Sequence, residues 1–478
     1  MADALRTDLP GIARYRRLSG VDRPHEDRPW HEAMLRSRWF WASLVLVLGF
    51  LASLARMYAI LTPDQQVEGG TIPGLNTDAL RQSARYALPT LAVWSLLFLA
   101  VDRWRPQRLL MWLLCLGWGG TIATYLSLVV NTWAADHLGV GDNGNQAAGA
   151  RAAIYIAPFV EEAFKGTVLF LVAFLDRRRL TSTLSTISLA GLSAIGFAFT
   201  ENIVYYARAI VYGSYSQQTG NVEAAVRRLV ELRGGWTSFG HPLFTSLLGI
   251  GVAVGLRSRS KVVRVVAPLA GYLVAALLHM VFNTTASLAG EKQQQQLYFT
   301  VAVPLVLVAV GNAIYQVIRE GRLVRQRLVD YVRMGWLPAA YPLRFSKLWQ
   351  RIRLIVMSLW WGKVISTFQL VRSVTELAYL RDGIVRGVID AAGLWREREL
   401  LDRIRTLRAR GALDDATGLR PYLPRRRPVD AWQPPSYPGP AGLGGAFPAP
   451  PAPVAAAPLA STAPSYSAVN PQWGPPKG

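Results

Sequence analysis

Apolar residues in this chain gather into long blocks separated by short polar stretches. Eight blocks are candidates to cross a bilayer as helices: about 39–61, 87–101, 109–130, 152–175, 183–206, 236–256, 265–288 and 297–318. The pattern predicts an all-α, polytopic membrane helix bundle. The second block is short and extends most naturally into Arg85 and Tyr86. Arg56 sits near the outer end of the first, where a long side chain snorkels. After residue 318 the blocks give way to Arg-rich sequence with helical periodicity. Within it, 354–371 is apolar and includes Trp360 and Trp361, but Arg344, Lys347, Arg351, Arg353, Arg372 and Arg381 flank it. Such flanks disfavour translocation. They favour a helix packed in a small cytoplasmic domain or lying in the inner interface.

The ends of the chain read differently. Residues 1–37 are polar and basic without apolar periodicity, and predict a cytoplasmic arm. The length of that arm and of the first block argues for a retained signal anchor. From about Pro421 the sequence is rich in Pro, Ala and Gly, which predicts a disordered tail. The expected organisation is therefore an arm (1–37), a transmembrane domain (38–318), a basic helical cytoplasmic region (319–420) and a Pro-rich tail (421–478).

Composition supports a membrane class. Of 478 residues 51% are hydrophobic, and the formal charge is +22. In a membrane protein a basic total points to loops obeying the positive-inside rule rather than to nucleic acid, and no nucleic-acid partner is expected. Loops 102–108, 176–179 and 257–261 are basic and alternate with loops rich in Gly, Asn, Gln, Asp and Thr. Both termini are thus expected inside. Loop 207–235 departs from the rule, with Arg208, Arg227, Arg228 and Arg233 against Glu223 and Glu231, and its 222–232 portion predicts a short surface helix. The single cysteine, Cys115, lies in an apolar block, which excludes an intramolecular disulfide and Cys-pair metal motifs.

Four blocks carry polar groups that hydropathy does not demand. The fourth contains Glu161, Glu162 and Lys165; on a helix the lysine is i+4 and i+3 from the two acids and reaches both. The fifth contains Glu201 and Asn202, the sixth opens with His241, and the seventh contains His279 and Asn283 on one helix face. Glu161 lies about nine residues into its span, roughly 14 Å by helix rise. With the loop orientation above, Glu161, Glu201, His241 and His279 all fall in the outer half of the bilayer. Charges at such depth usually face the bundle interior and carry a function. The alternative is an ion pair that fixes helix packing. A shared depth implies instead one polar cavity open to the outside. Carboxylates, His and Asn together suit water activation with oxyanion stabilisation. Two His with a carboxylate also suit a Zn²⁺ site with an open position.

At these residues the chain resembles the PrsW family of intramembrane proteases, related to the CAAX prenyl endopeptidases. Glu161-Glu162-Ala-Phe-Lys165 matches EExxK, and Phe197-Ala-Phe-Thr-Glu201-Asn202 matches FxxxEN; His241, and His279 with Asn283, complete the set over about 85–320. The resemblance implies hydrolysis of peptide bonds in a single-pass membrane substrate such as an anti-sigma factor, in a bacterial plasma membrane. It implies Glu161 as the water-activating base, with Glu162 and Lys165 orienting it. His279 and Asn283 would stabilise the oxyanion. Glu201 and His241, with His279, would hold the water or a metal, Zn²⁺ being the candidate. The relatives carry a His where this chain has Glu201, so metallo- and glutamic-type chemistry both stay open. A proton-coupled transporter or channel is the rival class; it predicts polar groups continuing to the inner side, and blocks four to seven lack an inner acid or His to match. A non-catalytic scaffold is the third.

Overall fold

The computed structural model describes residues 30–67, 70–102, 107, 109–138, 146–176, 180, 182–215, 221–288, 290–388 and 391–413. The basic arm up to residue 29, arginines 177–179 and the Pro-rich tail lie outside them. Seventeen α-helices follow in order. The first ten are α1 (Trp30–Leu35), α2 (Arg38–Leu61), α3 (Thr77–Val101), α4 (Leu109–Trp118), α5 (Thr124–His137), α6 (Gln146–Tyr155), α7 (Ala157–Asp176), α8 (Thr183–Tyr215), α9 (Val222–Val230) and α10 (Gly240–Leu256). The rest are α11 (Lys261–Leu288), α12 (Glu291–Leu297), α13 (Val303–Arg333), α14 (Tyr341–Phe345), α15 (Leu348–Trp360), α16 (Val364–Val385) and α17 (Ala391–Ala409). A two-stranded antiparallel ribbon, β1 (Gln65–Val67) with β2 (Gly70–Ile72), is a small addition to the all-α expectation.

Seven stretches are long and apolar enough to cross a membrane: Phe40–Leu61, Thr77–Val101, Leu109–His137, Thr183–Gly213, Val222–Leu256, Lys261–Leu288 and Lys292–Arg333. This is a multi-pass membrane bundle. The remaining block, 152–175, is a helix pair. α7 has 20 residues, about 30 Å by helix rise, but Glu161, Glu162 and Lys165 put three charges in its first half and keep it apart from those seven. Several helices outrun their hydrophobic blocks. α3 begins ten residues before its block, because Asn76 caps it by accepting from the Ala79 N–H at 2.8 Å. The third span continues from α4 to α5 through a π-helical turn, Gly119–Ala123.

α8 is enclosed by α3, α4, α7 and α10. Small residues and hydroxyls explain how. A Cβ on Gly119 would sit 1.8 Å from the Ser193 carbonyl, and one on Gly196 would sit 2.1 Å from the Leu116 carbonyl. Glycine therefore sets this backbone-to-backbone approach. Hydroxyls then bridge the helices: Ser188 donates to the Phe98 carbonyl at 2.9 Å, and Thr200 to the Gly120 carbonyl at 2.6 Å.

α13 runs on past its apolar stretch, and α14–α17 fold around its far end. Val324, Leu328 and Tyr331 of α13 form one buried core with Phe345, Leu354, Leu370, Leu377 and Leu400. Block 354–371 is not one segment: Gly362, at φ 61°, turns the chain between α15 and α16. Two buried carboxylates tie this region to one end of the bundle. Glu320 accepts from the Ser182 hydroxyl at 2.8 Å, the Leu184 N–H at 3.1 Å and the Tyr379 hydroxyl. Asp382 accepts from Arg386 at 2.7 Å, Arg327 at 3.2 Å and Arg257 at 3.3 Å.

Candidate active site

The EExxK stretch occupies the first turns of α7. Pro158 is the second residue of that helix, not an interior kink as an unbroken 152–175 helix would make it. Its missing N–H costs no helical bond there. Three other helices grip α7 through its carbonyls. The Trp118 indole donates to Phe164 at 2.9 Å, the Ser193 hydroxyl to Lys165 at 2.9 Å, and the Tyr272 hydroxyl to Phe159 at 3.0 Å.

Lys165 has no exposed surface and stands at the centre. Its Nζ donates to Glu162 Oε1 at 2.8 Å and Glu161 Oε2 at 3.3 Å, as the i+3 and i+4 spacing predicts. It also lies 2.9 Å from His241 Nδ1 and 4.2 Å from the centroid of the Phe197 ring. An ammonium only donates, so His241 Nδ1 accepts and its Nε2–H donates to Glu201 Oε2 at 2.8 Å. That fixes the tautomer of His241.

Glu162 and Glu161 differ sharply. Glu162 is fully buried and takes three donors: Lys165, the Thr245 hydroxyl at 2.7 Å, and His279 Nδ1 at 3.1 Å. That last bond leaves His279 Nε2 with its lone pair, 4.0 Å from Glu161 Oε2. Glu161 is 8% exposed. The His279 ring stacks on Phe244 at 5.1 Å and meets His241 edge-on at 5.0 Å. The structure thus brings Glu161, Glu162, Lys165, Glu201, His241 and His279 into one cluster from α7, α8, α10 and α11. Asn283 points elsewhere: its amide donates to the Ala153 carbonyl of α6 at 2.8 Å, which braces the α6–α7 junction. Asn202, also predicted, accepts from Arg233 Nε at 2.8 Å.

The structure offers a different carboxylate for a metal. One donor atom from each of Glu161, His241 and His279 lies within 4.8 Å of the others. The carboxylate of that triad is Glu161, where the sequence favoured Glu201. The reason is local: Glu201 Oε2 is already shared by His241 and by Arg233 Nη2 at 3.0 Å. Two ligands of one zinc ion lie at most about 4.2 Å apart, twice the usual bond, so the triad is slightly too open as it stands, and His241 would have to exchange the Lys165 contact at its Nδ1 for the ion. The charges agree. Glu161, Glu162 and Glu201 face Lys165 and Arg233, and the cluster keeps one negative charge for a cation or proton to balance. Glu162 behind His279 and Glu201 behind His241 are the carboxylate–histidine pairs that orient metal ligands.

Arg233 and Thr245 were not foreseen. Arg233 belongs to a π-helical turn, Glu231–Trp236, before α10. Its guanidinium lies 3.9 Å from the centroid of the Tyr205 ring while bridging Glu201 and Asn202. The signal was its place in the one polar loop that breaks the charge rule. Thr245 was legible as i+4 from His241 on one helix face. Arg233→Ala is expected to lower cleavage about 10–100-fold, the usual cost of an outer-shell partner. Arg233→Lys should recover little, since a point ammonium cannot bridge two acceptors while stacking. Cleavage rates at matched protein level check this, and unchanged rates in both variants would dismiss the role.

Comparison with known families agrees with this geometry. Residues 105–309 match the family described as PrsW family intramembrane metalloprotease. The match takes in α7, α8, α10 and α11, and so every residue of the cluster. Over these residues the chain is similar to the intramembrane metalloproteases of that family. Searches of curated proteins and of solved structures returned no match.

Proposed function

We propose that this protein cuts single-pass membrane proteins, in the manner of regulated proteolysis of an anti-sigma factor, at the Glu161–His241–His279 cluster. The observation that carries the reading is the unequal bonding of two adjacent acids: Glu162 is saturated by three donors, and Glu161 is left beside a free His279 Nε2. Glu161 is the working carboxylate, and it receives the proton of the attacking water. His279 Nε2 faces the same space. Glu162 holds His279, and Glu201 with Arg233 holds His241. Asn283 positions α6 and does not touch the reacting atoms.

Zn²⁺ is the proposed metal; Glu161, His279 and His241, the last through the Nδ1 that Lys165 occupies here, would hold it, Glu161 then serving as a ligand rather than as the base, and it would supply Lewis acidity and a more acidic water. The family similarity points to a bacterial plasma membrane, and the alternating basic loops support both termini cytoplasmic and the cluster in the outer half of the bilayer. A C-terminal topology reporter reads that orientation directly. The deciding experiment uses purified protein with a panel of single-span substrates, with and without chelator. Cleavage lost on chelation and restored by Zn²⁺ is expected. Full cleavage in a preparation shown free of metal would leave Glu161 as the sole base. No cleavage of any substrate, together with proton-coupled flux, would favour a transporter.

A further inference from the structure

α15 exposes an apolar face that has no partner among the described residues. Arg351, Leu354 and Ser358 are buried against the C-terminal core. On the other side Trp349 is 73% and Trp360 87% exposed, with Ile352, Val356 and Leu359 between them. The patch continues past the turn through Trp361, Ile365 and Phe368. A helix face of bulky apolar side chains does not belong on an aqueous surface. A patch of this size marks a membrane or protein contact.

Three observations choose the membrane. First, level: the C-terminal core takes in Leu184, from the first turn of α8, and packs against Val101, the last residue of α3, and Val317, late in the apolar part of α13. It begins where the spans end. Second, attachment: Glu320, Arg327 and Asp330, spread along about 15 Å of α13 by helix rise, pair with Tyr379, Asp382 and Arg381 of α16. α13 is a spanning helix, so these bonds hold α16 at the end of the bundle, and α15 packs on α16. Third, chemistry: tryptophan is the side chain enriched at headgroup level. Lys347 and Lys363 are exposed at the two ends of α15.

We propose that α15 and the first turn of α16 lie in the headgroup layer of the bilayer that holds the bundle, with anionic lipid phosphates on Lys347 and Lys363. This inference is independent of the catalytic reading. It predicts that the C-terminal helices add a flat membrane contact beside the bundle.

The test uses the full chain in vesicles of phosphatidylcholine and phosphatidylglycerol. In a Cys115→Ala background, Val356→Cys and Trp360→Cys each carry a nitroxide label. Collision with oxygen, which concentrates in lipid, is compared with collision with a water-soluble nickel chelate. Leu307→Cys, on the lipid-facing side of α13, and Thr406→Cys, exposed on α17, serve as references. Both α15 labels are expected to follow Leu307→Cys, with oxygen favoured and nickel excluded. Nickel access equal to that of Thr406→Cys overturns the proposal. Exclusion of both reagents also overturns it, because a protein partner or a second copy then covers the patch. Replacing phosphatidylglycerol by phosphatidylcholine should move the labels towards water; no movement removes the phosphate contact from the proposal.

Discussion

Glu161→Gln is expected to abolish cleavage, by about 10²–10⁴-fold for loss of a positioned base, while the protein stays folded and inserted. Gln has nearly the shape of Glu and still accepts from Lys165 through its carbonyl oxygen, 3.3 Å away in the native acid. It cannot take a proton from water. Glu162→Gln should behave differently. Its carboxylate holds Lys165, Thr245 and His279 at once. An amide in its place presents one acceptor and turns an NH₂ towards groups that donate. That leaves a buried donor unmatched, at about 1–3 kcal/mol, and frees the His279 ring. Activity and protein level should fall together. Measuring substrate cleavage beside the amount of membrane-inserted protein separates the two. A dead but well-folded Glu162→Gln beside an active Glu161→Gln would reverse the roles.

That contrast was half legible in the sequence. The i+3 and i+4 spacing of Glu161, Glu162 and Lys165 needs only a helix, and the structure reproduces it. Which acid would be saturated depends on His279 and Thr245, which reach Glu162 across 117 and 83 positions. No periodicity encodes such pairings. The same limit explains Asn283. Its i+4 spacing from His279 placed it on the right face, but α6 ends close enough for the Ala153 carbonyl to take its amide. The break between α6 and α7 was hidden because both sides of Ile156 are apolar. Arg233 was hidden for the opposite reason: it sits in a polar loop, where arginine is ordinarily solvated. Hydropathy saw the spans well, since lipid imposes one rule on every exposed side chain. It saw the C-terminal core only as Arg-rich periodicity, because there burial is paid through buried pairs such as Asp382 with its three arginines.

Lys165→Met is expected to be the most destabilising single change in the cluster. The ammonium is fully enclosed, and Glu162 beside it is fully enclosed too. Methionine fills much of the same volume but supplies no donor. Two adjacent carboxylates and Glu201 would then face Arg233 alone, and His241 Nδ1 would lose its donor. Breaking a buried pair by removing one partner costs about 3–5 kcal/mol. The unfolding temperature of the purified protein in detergent should fall well below that of the parent. A double variant, Lys165→Met with Glu162→Gln, distinguishes the electrostatic cause from a packing one. If the loss comes from stranded charge, removing the Glu162 charge as well should restore about 0.5–3 kcal/mol, the range found for directly coupled residues. If the double variant is as unstable as the two losses added together, the pair is not what holds the site. Should stability return without cleavage, Lys165 also positions Glu161 and His241 for the reaction, because the fold would then be intact and only the 3.3 Å and 2.9 Å contacts missing.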